Sequence, residues 1–186
     1  MPYQDLLQPR RACLMVIDPQ ERLMAVIDKA ERVIRNICLM VECARVMKIP
    51  VLATTQYEKG LGPFVPEIAK VIADAHVLDK TEFNAFANND VRNWFARLPA
   101  SVDTVILTGV EAHICVHQTM MGALSQGFYP WVVSDAISSR NGKHAKTAIA
   151  RFRALDVAVG PAEMAVYELL GRAGTPEFKA MLPHLK

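Results

Sequence analysis

Three residues of different chemistry share one kind of local setting. Asp18 follows the apolar run at 12–17, and Lys80 follows a short β-branched stretch around 77–78. Cys115 opens a helix-period segment a few residues beyond the apolar run at 104–107. If these runs are parallel strands, their carboxyl ends line one crevice, and an acid, an amine and a thiol meet there from three separate strands. That set suits nucleophilic catalysis, in which the thiol attacks, the carboxylate moves its proton and the ammonium orients the pair. Each residue also has a plainer reading: Asp18 as a loop cap, Lys80 as a solvated strand end, Cys115 as a small buried hydrophobe. Position distinguishes Cys115. At the first turn of a helix running to Gln126, free N–H groups and the helix dipole favour an anion, and with Lys80 nearby they predict a thiol pKa below the free value of about 8.5. Cys13, Cys38 and Cys43 lack that context and read as packing residues.

The elements that must position this set are short apolar runs alternating with helical periodicity. Strands are expected at 13–17, 51–54, 77–78 with its flanks, 104–107, 131–133 and 157–159. Most are apolar without alternation, as parallel strands covered on both faces are. Val26, Ala30, Val33, Ile37, Met40, Ala44 and Met47 trace one buried helix stripe. Val91, Trp94, Phe95 and Leu98 trace another, with Asn88 or Asn89 as N-cap. Val116, Met120 and Ala123 mark a third, closed by Gly127, and Ala145, Ala148, Ile149, Phe152 and Leu155 a fourth. Two further helical pieces follow, the last capped by Thr175 with Pro176 in its first turn. The order predicts an α/β fold: a doubly wound, mostly parallel six-stranded sheet with helices on both faces, Rossmann-like and three-layered. Residues 56–66, with two glycines and two prolines, read as a loop without helix or strand after the second strand, either a plain surface crossover or a wall of the crevice.

Composition narrows the class. The 186 residues carry 21 Lys+Arg against 19 Asp+Glu, a formal charge of +2, with 52% hydrophobic and 22% charged residues. This is a globular balance, and residues 1–186 read as one domain able to bury its own core. The near-neutral charge, with no basic stripe, argues against a nucleic-acid or membrane partner. The longest unbroken apolar run, 12–17, is far short of the ~20 residues a bilayer demands. A polar N-terminus without a secretory core and four cysteines without C-x-x-C spacing predict a cytoplasmic protein with free thiols.

The chain resembles the isochorismatase-like cysteine hydrolases, in particular the branch of isochorismatase domain-containing proteins. The resemblance runs over about residues 11 to 170 and is carried by Val-Ile-Asp18-Pro-Gln20, Thr55-Gln56-Tyr57 with Lys59-Gly60-Leu61-Gly62, Lys80-Thr81-Glu-Phe83, Gly109-Val-Glu-Ala-His-Ile-Cys115 and Val133-Ser-Asp135-Ala-Ile-Ser-Ser139-Arg140. It implies a triad in which Cys115 attacks a carbonyl carbon, Asp18 is the general base and Lys80 orients and polarises. It also implies a cis peptide at Val110–Glu111, which helps aim backbone N–H groups, that of Cys115 included, at the oxyanion. Family members are commonly dimers or larger, so a homo-oligomer is expected. Gln20, Gln56, Tyr57 and Phe83 are candidates to line the pocket of a small-molecule substrate.

Departures from the family's other branches sharpen the expectation. Nicotinamidase-type relatives hold a metal through an Asp and two His near the second strand, whereas the corresponding loop here contains no His; no metal is expected. His113 and His117 each stand two residues from Cys115, a spacing that on a helix start points to a different face from the cysteine, and no second ligand pair exists, against a zinc site. His113 remains an alternative thiol base. Gly60-Leu-Gly62 lacks the third glycine of a dinucleotide loop and Asn141-Gly-Lys143 lacks a Walker pattern, so no cofactor is expected. The leading expectation is a metal-independent hydrolase of a small amide-like C–N bond, working through a Cys115 thioester. Two alternatives compete: a catalytically weak binding or scaffold member of the fold, and a thiol-redox protein using Cys115.

Overall fold

The computed structural model describes residues 6–185; residues 1–5, part of the N-terminus read above for an export signal, lie outside the described residues. Six strands form one wholly parallel sheet: β1 (Ala12–Ile17), β2 (Val51–Gln56), β3 (His76–Lys80), β4 (Thr104–Val110), β5 (Tyr129–Ser138) and β6 (Ala158–Gly160). Their spatial order is β3-β2-β1-β4-β5-β6. The chain winds outward from β1 to β3, then crosses back and winds outward again from β4 to β6. The reversal lies between β1 and β4, where open parallel sheets form their crevice. All six expected strands are present, and the doubly wound α/β class holds.

The helices are α1 (Glu21–Met24), α2 (Ala30–Met47), α3 (Glu58–Leu61), α4 (Pro66–Val71), α5 (Asn89–Ala96), α6 (His117–Ser125), α7 (Gly142–Ala154), α8 (Ala162–Leu170) and α9 (Pro176–Met181). Because successive strand residues point to opposite faces, alternation divides the core in two. Leu14, Val16, Ile106, Trp131 and Val133 pack with α2, α8 and α9 on one face. Cys13, Met15, Ile17, Val105, Leu107 and Val132 pack with α5, α6 and α7 on the other. Both faces of β1 and β4 are therefore dry, which is why their sequences read as unbroken apolar runs.

Several local expectations are met at atomic detail. The Asn88 side chain accepts from the backbone N–H groups of Asp90 and Val91 at the start of α5, a cap worth about 1 kcal/mol. Thr175 accepts from Phe178 N–H at α9. Others need correction. Val26 lies outside α2 and is 59% exposed, and Leu155 lies beyond α7 and is 40% exposed; helical spacing alone could not show where each helix begins and ends. The segment 56–66 is not irregular throughout, since it contains α3 and is tied down by a bridge between Gln20 and Phe64.

One glycine decides how closely the central strands approach. Gly109 pairs with Ile17 and has φ +120°, and a Cβ there would sit 2.0 Å from the Ile17 carbonyl oxygen. No other residue type fits the end of β4 against β1. The strand register then aligns Leu78, Thr54, Ile17 and Gly109 in one row, so the residues just beyond them face a common rim.

Candidate active site

Asp18 leaves the end of β1 with φ +54°, a left-handed turn that Asp tolerates better than most residues. The turn sends its carboxylate back under the strand ends, where it is completely buried. Its two oxygens are held from different strands. Thr54 Oγ1 donates to Oδ1 at 2.7 Å, and Lys80 Nζ donates to Oδ2 at 2.7 Å. Lys80 is the last residue of β3, two strands away, and its side chain crosses the end of β2 to reach Asp18. Its ammonium also donates to Gln56 Oε1 at 2.8 Å. Lys80 is 2% exposed, which overturns the solvated strand-end reading.

Cys115 sits in a π-helical turn, Ala112–Val116, that connects β4 to α6. It is buried, and its thiol stands close enough to Asp18 and Lys80 for both charges to act on it. The acid, the amine and the thiol expected to converge therefore share one buried site.

The electrostatics reverse one expectation. The Cys115 thiol is pushed up to about 12, first by burial and then by the negative charge of Asp18, with Lys80 opposing. The start-of-helix argument counted the favourable dipole and cation but omitted desolvation and the adjacent carboxylate, which dominate. Burial also raises the Asp18 carboxyl above its ordinary range, against the pull of Lys80, Thr54 and the Cys115 thiol. The resting pair is thus a neutral thiol beside a carboxylate of strengthened basicity. Burial also raises the thiols of Cys38, to about 11, and Cys43, to about 12, so what sets Cys115 apart is its partners. Cys13 and Cys43 are core residues, whereas Cys38 is only half-buried on α2.

The other nominated residues fall into two groups. Gln20 is fully buried and its amide serves the chain itself: Oε1 accepts from Gln56 N–H at 2.7 Å, and Nε2 donates to the carbonyls of Gly62 at 2.7 Å and Gln56 at 3.3 Å. Gln56 is likewise engaged at both ends of its amide, accepting from Lys80 and donating to the Thr81 carbonyl at 2.7 Å. These two glutamines brace the site from behind. Tyr57 and Phe83 remain open, 54% and 52% exposed. The ring of Tyr57 lies over Gly60, where a Cβ would come within 2.4 Å of it.

The Val110–Glu111 peptide is cis. Glu111, 5% exposed, accepts on Oε2 from the Arg140 backbone N–H at 3.2 Å and pairs through Oε1 with Arg140 Nε at 3.0 Å. His113 has its Nδ1 2.9 Å from Ser139 Oγ and 3.4 Å from Glu111. Its imidazole pKa is lowered chiefly by burial, and its engaged nitrogen faces Ser139, on the rim of β5. Among the described residues no group of three or more His, Cys, Asp or Glu is placed to hold a metal ion, and no helix is long and apolar enough to cross a membrane. Sequence reading missed Thr54 and the pairing of Glu111 with Arg140. A threonine ending an apolar strand was the available signal for the first. For the second there was none, because the two residues stand on different strand ends.

The comparisons agree with this architecture. The isochorismatase domain model matches residues 12–163. The secreted isochorismatase effector Isc1 of Phytophthora sojae is 34% identical over 183 residues, covering 97% of this chain and 87% of that protein. Isochorismatase domain-containing protein 2 of Danio rerio is 31% identical, covering 93% and 86%. The structure of the MAR1 ribonuclease from Caenorhabditis elegans superposes with a TM-score of 0.89 at 30% identity, covering 97% of this chain and 92% of that one. With that domain model over most of its length and relatives above 30% identity, the chain belongs to the isochorismatase family, in the branch of the isochorismatase domain-containing proteins, and has its hydrolase fold.

Proposed function

We propose that the protein is a metal-independent cysteine hydrolase that cleaves a small amide-like C–N bond. The observation that carries this reading is the buried constellation in which Lys80 and the Cys115 thiol both address the Asp18 carboxylate. Asp18 takes the thiol proton as Cys115 Sγ bonds to the substrate's carbonyl carbon. The resulting oxyanion is met by backbone N–H groups of the turn at 112–116, the first of which have no intrahelical partner. Collapse breaks the C–N bond, and the proton held by Asp18 passes to the departing amine, leaving an acyl group on Cys115 as a thioester. Water then attacks, giving its proton to Asp18 and releasing the acid, and the thiol recovers its proton.

Lys80 keeps the developing charges balanced throughout. Its ammonium has three donors; two are spent on Asp18 and Gln56, and the third is left for the thiolate or the substrate. The test is a panel of small amides against the wild type and Cys115→Ala, with the acyl-enzyme mass sought after rapid quenching. Turnover by the folded Cys115→Ala protein would overturn the reading, as would RNA cleavage unaffected by that change.

The protein is further proposed to act as a homo-oligomer. Phe83, on the segment hydrogen-bonded to α6 through Thr119, and Met121 and Leu124 of α6 leave apolar side chains in solvent. Light scattering on the eluting species decides this, and a 20.6 kDa particle would refute it.

A further inference from the structure

The proposed mechanism leaves Asp135 without a role, yet Asp135 sits where β5 loses step with β4. Leu107 pairs with Val132 and Gly109 with Ile137, so β4 advances two residues while β5 advances five. β6 ends opposite Val133, and residues 134–136 stand outside both ladders as an outsized bulge. A bulge bends its strand and re-aims the side chains beyond it. Here those belong to Ser138, paired with Val110, and to Ser139 and Arg140, the segment that meets the nucleophile turn. Ser139 Oγ lies 2.9 Å from His113 Nδ1, and the Arg140 backbone N–H donates to Glu111 Oε2 at 3.2 Å.

A strand segment outside its ladders keeps its shape only if something beyond the sheet holds it, and Asp135 is held from two helices. Its carbonyl oxygen accepts from Asn36 Nδ2 of α2 at 3.1 Å. Its Oδ1 accepts from the Ala162 N–H of α8 at 2.7 Å. That second bond also caps α8. Pro161 holds the N-cap position and makes no side-chain cap bond, so the first N–H of the helix is met by a carboxylate 27 residues away in the chain. Beyond the bulge the fastening continues. Arg32 Nη2 donates to the Ile137 carbonyl at 3.4 Å, Ser138 Oγ to the Asp28 carbonyl at 2.7 Å, and the Asp28 N–H to the Ser139 carbonyl at 3.1 Å. A short path of backbone and hydrogen bonds thus runs from Asp135 through Ser139 and His113 to the turn that carries Cys115.

We propose that Asp135 is a positioning residue for Cys115, which clamps the β5 bulge to α2 and α8 and so sets where the strand end braces the nucleophile turn. The proposal rests on the cysteine-hydrolase reading for the role of Cys115. Asp135 itself touches no substrate. Without the clamp the bulge relaxes, Ser139 withdraws from His113, and the turn no longer seals the thiol beside Asp18. Burial is the first cause of the high Cys115 pKa and Asp18 the second. A loosened turn therefore lets that pKa fall even as the geometry for hydrolysis is lost.

The pH dependence of iodoacetamide labelling, read cysteine by cysteine by peptide mass spectrometry on the full chain, tests this. The thiolate forms an S–C bond and iodide leaves. Asp135→Ala is expected to raise the Cys115 rate at pH 8 by about tenfold, the effect of a fall of about one pKa unit, and to lower kcat for amides more than it changes KM. Asp135→Asn keeps an oxygen for the Ala162 N–H and is expected to restore the wild-type profile. Thr175→Ala is the control. It removes a cap of the same kind from α9, on the same face of the sheet as α8, and is expected to lower the Tm without moving the Cys115 profile. Cys13, buried in β1, reports global opening and is expected to stay slow throughout.

If Asp135→Ala does not fold, Asn36→Ala removes only the bond to the Asp135 carbonyl and is expected to shift the profile in the same direction. A Cys115 profile left in place by the folded alanine variant, at a lowered Tm, overturns the proposal and leaves Asp135 as the cap of α8. A rise at Cys115 that Thr175→Ala or Cys13 reproduces overturns it too, because it reports general loosening. Labelling needs no turnover. A shifted profile in a protein that hydrolyses no amide would therefore sink the hydrolase reading alone, and Cys115-dependent hydrolysis untouched by Asp135→Ala would sink this proposal alone.

Discussion

Lys80 Nζ lies 2.7 Å from Asp18 Oδ2 with both side chains wholly out of solvent, although the two residues end strands that are not neighbours. A bare pair of charges so deep costs more in lost hydration than it gains unless further hydrogen bonds complete it. Thr54 and Gln56, both at the end of the intervening β2, supply those bonds. A pair kept buried at that expense, with a thiol close by, is what the proposed proton transfer rests on.

Removing Lys80 exposes this balance. Lys80→Met is expected to lose about 3–5 kcal/mol, because Asp18 is left buried with its charge uncompensated. The loss depends on pH with a definite sign. Without Lys80 the folded-state pKa of Asp18 rises further above its unfolded value. The neutral acid is therefore tolerated below that unfolded value, and the penalty grows as pH rises through the raised folded pKa. Thermal melts should show a larger deficit against wild type at pH 8 than at pH 4, and a deficit independent of pH would contradict the assignment.

Cys115 should respond oppositely to its two neighbours. Asp18 raises the thiol pKa and Lys80 lowers it. Asp18→Asn is expected to bring the thiol well below about 12 and speed iodoacetamide labelling at pH 8–9, even as hydrolysis is lost. Lys80→Met is expected to slow labelling at the same pH. Mass spectrometry of Cys115 across a pH series reads both effects, and shifts in the same direction would show that the charges are not coupled as described.

Thr54→Val removes a hydroxyl that donates to the Asp18 carboxylate without changing the shape of β2. Losing a donor to the charged form raises the carboxyl pKa. The acid limb of the activity profile should move upward in pH, with a stability loss of about 1–3 kcal/mol. An unmoved acid limb would remove Asp18 from the base role.

Metal removal offers a check of a different kind. Because Lys80 supplies the positive charge of the proposed mechanism, prolonged EDTA dialysis is expected to leave amide turnover unchanged, and restoration of lost activity by an added divalent ion would refute that.

Gly109→Ala probes the frame. With φ +120° and a Cβ within 2.0 Å of the Ile17 carbonyl, the substitution forces β4 away from β1 and so separates Asp18 from Cys115. Expected outcomes are insoluble protein or a melt lowered by many degrees; a wild-type melt would mean that the strand junction is looser than described.

Local patterning carried the class of fold and the identity of the converging residues. Apolar runs too continuous for one-sided strands marked a sheet buried on both faces, and each ended in or near a polar residue of evident chemistry: Asp18, Lys80 and, a turn later, Cys115. Their positions along the chain already implied a shared rim, because parallel strands end on the same side. Two other features depended on distances that no sequence spacing contains. Gln20 and Gln56 looked like pocket lining, yet folding turns their amides onto backbone groups and onto Lys80. Cys115 looked like an activated thiolate from its place at a helix start, yet burial beside Asp18 outweighs the dipole and keeps it protonated. Residue type and order determined which groups meet. The tertiary structure decided their depth and their partners, and in a low-dielectric interior those settle where each proton rests.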